Sequence, residues 1–183
     1  MSPVIALLRA VNVGGRTVTS AVLRTVAQRL GHGRVVTHLA SGNLVLVPPA
    51  GAGADEVAAG LSAALAAETG FDVPVLARDL AAWDALVDAL PLPEEAAEDP
   101  SHLVLCCFAG PVAPGADGAL DRTRLGSERV VWHEREAYVH YPDGIGTSKL
   151  TLDVLSRAAG QVGTGRNWRT VLALQRLARE RAD

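Results

Sequence analysis

Short apolar runs of strand length alternate with segments whose apolar residues recur every three to four positions, and this order repeats once along the chain. Residues 4–9 form a first strand-length run, which stops at Asn12-Val13-Gly14-Gly15, a turn with two glycines. Val22, Val26, Ala27 and Leu30 then follow helical spacing, with Thr19 or Ser20 placed to cap the helix and Gly31 to stop it. Residues 35–39 and 44–47 flank Ser41-Gly42-Asn43, whose members tolerate positive φ, so the two runs predict an antiparallel hairpin that ends at Pro48 and Pro49. A second helix fits residues 55–69, with Val57, Leu61, Ala64 and Leu65 on one face, and residues 71–77 read as another strand. The order is β-α-β-β-α-β, the split unit of ferredoxin-like folds.

A connecting helix from Asp79 through Leu90 and a proline-bearing polar stretch ending at Pro100 separate this half from the next. Residues 103–108 are apolar at every position, which predicts a strand covered on both faces. Beyond a Gly/Pro-rich stretch at 110–118 the pattern predicts a short helix at 119–125, a hairpin of 129–133 with 137–141, a helix over 149–159 and a brief edge strand at 164–166. Asn167 is placed to cap a last helix with the stripe Val171, Leu172, Leu174 and Leu177. The predicted fold is α+β: two ferredoxin-like halves, residues 1–78 and 101–183, joined by a helical linker at 79–100, with an extra C-terminal helix.

Composition narrows the class. Of 183 residues, 49% are hydrophobic and 20% charged, and no apolar run reaches the roughly 18 residues of a membrane span. The chain therefore reads as globular and without a membrane partner. Its first residues carry no basic region ahead of the apolar run, unlike a secretory signal, which points to the cytoplasm. Cys106 and Cys107 are neighbours on a predicted strand and point to opposite faces, so neither a local disulfide nor a CxxC site follows. A net charge of −3 disfavours non-specific coating of nucleic acid, while leaving room for a local basic pocket.

Several polar residues could carry chemistry. Lys149 is the only lysine beside sixteen arginines, and it sits in a Gly/Ser loop, where a compact ammonium differs in kind from a guanidinium. If Ser148 or Thr147 caps the following helix, that ammonium stands in the positive first turn and calls for a negative partner, either a ligand or a carboxylate such as Asp143 or Asp153. Asn12, Gly14 and Gly15 between a strand and a helix suit an anion-binding nest, or only a turn. Arg9 shares the strand face of Ile5 and Leu7, which predicts burial and a partner for its charge. Ser41 and Asn43 suit either the hairpin turn or a polar pocket. Thr164, Arg166, Asn167 and Trp168 form another cluster, in which capping explains Asn167 and packing explains Trp168. His32 and His102 read as solvent-facing. No HxH, HxxxH or HExxH spacing occurs, so neither a metal nor another cofactor is expected.

Four of these segments, taken in order, resemble the signatures of the bacterial domain-of-unknown-function 1697 family. They are Ile5-Ala6-Leu7-Leu8-Arg9-Ala10-Val11-Asn12-Val13-Gly14-Gly15, Ser41-Gly42-Asn43, Ser148-Lys149-Leu150 after a Tyr-Pro-Asp-Gly stretch, and Gly163-Thr164-Gly165-Arg166-Asn167-Trp168. The chain departs at Ala10, where glycine is usual, at Ala40, where glutamine is usual, and at Gly165, where threonine or serine is usual. The resemblance implies two ferredoxin-like halves and no established activity. Three functions remain open. In the first, Arg9, Lys149 and Arg166 converge with the other polar residues in one concave region, binding a phosphate, a nucleotide or a nucleic-acid end. In the second, an enzyme uses Lys149 as nucleophile or proton donor. In the third, the polar signatures only lock turns in a structural or regulatory protein, monomeric or dimeric through apolar strand edges.

Overall fold

The computed structural model of the chain describes residues 2–12, 14–123 and 125–182; Val13 of the first turn and Arg124 of the short helix expected at 119–125 lie outside the described residues, as do Met1 and Asp183. The fold is α+β, with two four-stranded antiparallel sheets. Two compact units divide it, Met1–Asp88 with Ala173–Asp183, and Ala89–Leu172. Among the described residues no helix is long and apolar enough to cross a membrane.

The first unit runs β1 (Val4–Leu8), α1 (Ser20–Arg29), β2 (Gly33–His38), β3 (Asn43–Val47), α2 (Ala54–Thr69), β4 (Val75–Asp79) and α3 (Leu80–Asp88), and its sheet order is β2-β3-β1-β4. Thr19 caps α1, its Oγ1 accepting the Val22 N–H at 3.2 Å, and Gly70 in the left-handed region ends α2. Every residue of central strand β1 is buried. Val4, Ala6 and Leu8 join a core with Leu23 and Val26 of α1 and Val57, Leu61 and Leu65 of α2. Ile5 and Leu7, alternating with them, lie on the opposite sheet face and are equally buried. The fourth strand begins at Val75 rather than residue 71, because Pro74 has no N–H for the ladder. Instead the Ser62 hydroxyl of α2 donates to the Val73 carbonyl and accepts from the Val75 N–H.

The second unit comprises α4 (Pro93–Glu98), β5 (Leu103–Phe108), β6 (Arg129–His133), β7 (Glu136–His140), α5 (Leu152–Ala159), β8 (Gly163–Asn167) and the start of α6 (Trp168–Arg179); its sheet order is β6-β7-β5-β8. All six residues of β5 are buried, as its unbroken apolar run predicts, and β8 lies at the sheet edge. Three expectations change. The polar stretch before Pro100 contains a short helix, α4, with Pro93 opening it and Glu94 and Glu95 in its positive first turn. In place of the helix expected at 119–125 the described residues hold a single 3-10 turn at Asp117–Ala119, and Asp121-Arg122-Thr123 beyond it offer no apolar residue with which to bury a helical face. Helix α5 starts at Leu152, capped by Thr151, and not at Lys149. In α6, Val171 and Leu174 are buried whereas Leu172 is exposed.

Candidate functional site

The sequence-predicted site residues divide between the units: Arg9, Asn12, Gly14, Gly15, Ser41 and Asn43 belong to the first, and Lys149, Arg166 and Asn167 to the second. In the first unit the loop after β1 meets the β2–β3 turn. The Leu8 N–H donates to the Gly42 carbonyl at 2.8 Å, so Ser41-Gly42-Asn43 sits against the end of β1. Asn12, in the left-handed region at φ 59°, donates its amide to the Ala40 carbonyl and accepts the Val18 N–H at 3.1 Å. Asn43 is fully buried, and its amide donates to the His38 carbonyl at 2.7 Å and the Ser41 hydroxyl at 2.9 Å. Both side chains thus tie backbone segments together. Gly14 and Gly15 have positive φ and are exposed; the α1 N-terminus begins beyond them and takes its cap from Thr19. Arg9 is half-buried rather than largely buried, because β1 ends at Leu8; its own N–H donates to the Pro74 carbonyl at 2.9 Å.

Lys149 lies at a cavity of about 300 Å³ within the second unit, lined also by Glu128, Tyr141, Asp143, Thr147 and Ser148. The loop that forms it is held by side-chain bonds. Ser148 donates its hydroxyl to the Glu128 carboxylate and accepts the Leu150 N–H at 3.0 Å, which leaves Thr151 to cap α5. Buried Tyr141 donates to the Leu150 carbonyl at 3.0 Å, and Ser127 donates to the Asp143 carboxylate at 3.0 Å. Lys149 is therefore two residues outside the helix cap, and the macrodipole argument for a compensating anion does not apply to it. Its side chain is exposed and, among the described residues, enters no hydrogen bond or ion pair, with Asp143 or Asp153 included. Both acidic side chains of the lining are engaged by hydroxyls, while the ammonium is left to solvent or to a ligand.

The Ser148 hydroxyl, aided by the Gly126 N–H, holds the Glu128 carboxyl below its ordinary value of 4.5 against the opposing effect of desolvation. A depressed folded-state value means that this contact stabilises the loop above about pH 4.5 and is lost as pH falls through the lower folded value. In Ser148→Ala the Glu128 titration midpoint, followed by carboxyl-carbon NMR, should rise toward 4.5. An unchanged midpoint would remove the hydroxyl as its cause.

Arg166 and Asn167 do not line this cavity. Arg166 is buried in β8, and its Nη1 donates to Thr164 Oγ1 at 2.9 Å and to the Gly165 carbonyl at 2.8 Å. Burial draws its guanidinium down to about 10, partly offset by the neighbouring Cys107 and Cys106. The Cys106 thiol is itself pushed up to about 12 by burial, so it is no ready nucleophile. Asn167 accepts the Thr170 N–H at 2.9 Å, the helix-capping role expected of it.

Sequence reasoning missed three features. Arg78, one residue before the end of β4, is buried like Arg166 at the same place in β8, and its Nη1 likewise donates to the carbonyl of the preceding residue at 2.8 Å. The two arginines face Ile5 of β1 and Leu105 of β5 across their sheets, a shared position that strand alternation in 75–79 could have flagged. Glu128 went unnoticed because it reaches Ser148 across twenty residues of chain. His32 is buried, not solvent-facing: Gly31 in the left-handed region turns the chain back, and the His32 N–H donates to the Ala27 carbonyl at 3.2 Å. Among the described residues no group of three or more His, Cys, Asp or Glu side chains is placed to hold a metal ion.

Residues 1–138 match the model of a family described as Protein of unknown function (DUF1697). The chain is also similar in structure to a conserved bacterial protein from Streptococcus pneumoniae, with a TM-score of 0.67 at 18% identity over 97% of this chain and 98% of that one. At that identity the likeness bears on fold alone. No curated protein matches the chain.

Proposed function

The chain belongs to the DUF1697 family, and from the geometry of its own residues we propose that it is a binding module for a small anionic, phosphate-bearing ligand seated at Lys149. The observation that carries this reading is an exposed ammonium, without an ion pair among the described residues, at the edge of a polar cavity of about 300 Å³, a volume at the lower end of ligand pockets. Glu128 and Asp143 line the same cavity and would repel a bare phosphate. They suit a ligand that brings hydrogen-bond donors beside its anion. A sugar phosphate or nucleotide does so, the phosphate on Lys149 and sugar hydroxyls on the carboxylates.

Titration calorimetry with ribose 5-phosphate, adenosine monophosphate and inorganic phosphate tests this. The parent should bind the first two more tightly than inorganic phosphate, and Lys149→Met should weaken binding by about tenfold or more, the scale of one charge-assisted hydrogen bond, with unfolding stability unchanged within about 0.5 kcal/mol. Equal binding by parent and variant would overturn the assignment.

The enzyme reading has less support. A nucleophilic lysine needs burial or neighbouring cations, and Lys149 is exposed in a lining whose other charged members are acidic. For the residues of the first unit a turn-locking role is favoured, since the Asn12 and Asn43 amides are spent on backbone carbonyls and a hydroxyl. We read each unit as ferredoxin-like, which the common strand order supports, and the protein as cytoplasmic.

A further inference from the structure

The polar groups that line the Lys149 cavity are unequally available, and their hydrogen bonds show which of them a ligand can use. Both oxygens of the Glu128 carboxylate are engaged, Oε1 by the Ser148 hydroxyl and Oε2 by the Gly126 N–H at 2.6 Å. Tyr141 spends its hydroxyl on the Leu150 carbonyl, and Thr147 donates to the Asp143 carbonyl at 3.2 Å. Asp143 differs. Ser127 donates to its Oδ2 at 3.0 Å, while Oδ1 enters no hydrogen bond among the described residues. Lys149 forms no ion pair with it among those residues, although both line one cavity of about 300 Å³. The Ser127 bond holds the carboxylate where it stands, so the loop presents an ammonium and an open carboxylate oxygen apart from each other. Among the described lining residues these are the two ionisable groups left for a ligand.

We propose that Asp143 is the specificity-determining residue of this site: its carboxylate accepts a hydroxyl of the ligand while Lys149 holds the phosphate. The site then takes hydroxylated phosphate esters such as sugar phosphates and rejects phosphate esters without a hydroxyl. This rests on the phosphate reading of Lys149 and narrows it to one carboxylate, Glu128 being occupied in holding the loop. Selection acts in both directions. A carboxylate repels a phosphate dianion that shares its cavity, whereas a ligand hydroxyl turned toward that carboxylate adds a charge-assisted hydrogen bond. One side chain thus attracts the right ligand and penalises the wrong one.

Ribose 5-phosphate and tetrahydrofurfuryl phosphate, the same ring without its hydroxyls, provide the test by titration calorimetry. The parent should bind ribose 5-phosphate about tenfold more tightly, the scale of one charge-assisted hydrogen bond. Asp143→Ala should remove the preference from both ends, binding ribose 5-phosphate more weakly than the parent does and tetrahydrofurfuryl phosphate more tightly. A purely structural role would weaken both. Asp143→Asn keeps an acceptor for Ser127, and its tighter binding of tetrahydrofurfuryl phosphate gives the same answer if the alanine variant fails to fold. The proposal is overturned if the parent binds the two esters equally, if a folded variant keeps the preference, or if the folded variants bind both esters more weakly. Equal binding of the esters by the parent, lost in Lys149→Met, would remove the role of Asp143 and leave the phosphate reading standing. If the parent binds neither ester, both fall.

Discussion

Gly42→Ala is expected to destabilise the protein by about 2–5 kcal/mol, the sum of roughly 1–2 for a left-handed alanine and 1–3 for overpacking. Gly42 has φ +74°, and a Cβ built on it would stand 2.7 Å from both Leu8 Cβ and Val11 Cγ2. Leu8 is the last residue of the central strand and is buried, so it has no room to give way. The Gly42 carbonyl also holds the Leu8 N–H, which prevents the turn from swinging outward without losing that bond. Urea unfolding of parent and variant measures the loss. A change within the surface range of about 0.5 kcal/mol would mean that the turn does not pack on β1. The glycine of this signature segment is thus explained by close approach, with no ligand required.

The second large effect is expected at Asn43. Asn43→Ala should cost about 1–3 kcal/mol, because the part-buried bond to the His38 carbonyl would be lost while the Ser41 hydroxyl can turn to water. Asn43→Asp should be worse than alanine despite its matching shape. A carboxylate cannot donate to the His38 carbonyl, and a charge would be left buried at 0% exposure. Unfolding of both variants under identical conditions gives the order. If alanine is tolerated within about 0.5 kcal/mol, or aspartate is the milder change, Asn43 is no turn lock and a ligand-facing role regains ground.

The second unit places a different residue at the matching register position. Asn43 opens β3 opposite His38, and Glu136 opens β7 opposite His133, each the first residue of the third strand of its sheet. No residue-level repeat announces this, because the same position holds an amide in one unit and a carboxylate in the other. The resemblance lies in backbone register, and register leaves only a weak trace in side-chain identity.

The order of the strands and of the helices other than α4 was legible from periodicity and turn chemistry, whereas α4 was missed and a helix was expected at 119–125 where a 3-10 turn precedes an irregular segment. Apolar runs marked the strands other than β8, whose sequence Gly163-Thr164-Gly165-Arg166-Asn167 has none, and the caps at Thr19 and Asn167 and the turn at Ser41-Gly42-Asn43 announced themselves through residues whose backbone or side-chain geometry is local. Boundaries failed where a non-local bond competed with the local signal. Ser148 was a plausible cap for a helix starting at Lys149, yet its hydroxyl went to Glu128 and the Leu150 N–H, and Thr151 became the cap. The cavity at Lys149 was legible through the uniqueness of that lysine and its neighbours Asp143, Thr147 and Ser148 in the same loop, whereas Glu128, distant in sequence, could not be foreseen. His32 was misread for a similar reason: its glycine neighbours suggested exposure, whereas the turn at Gly31 carried it inward.

By itself, then, the sequence determined the α+β class and the order of the strands and longer helices, because hydrophobic period, capping and turn chemistry act over a few residues, while the family was carried by four signature segments that resemble it. The tertiary structure alone decided which polar side chains are spent holding loops and which face a cavity. Lys149 and Ser148 are neighbours in the chain, but among the described residues one enters no hydrogen bond and the other is bound to a carboxylate twenty residues away. That division depends on which distant segments the packed core brings within the roughly 3 Å reach of a hydrogen bond, and no local pattern encodes it.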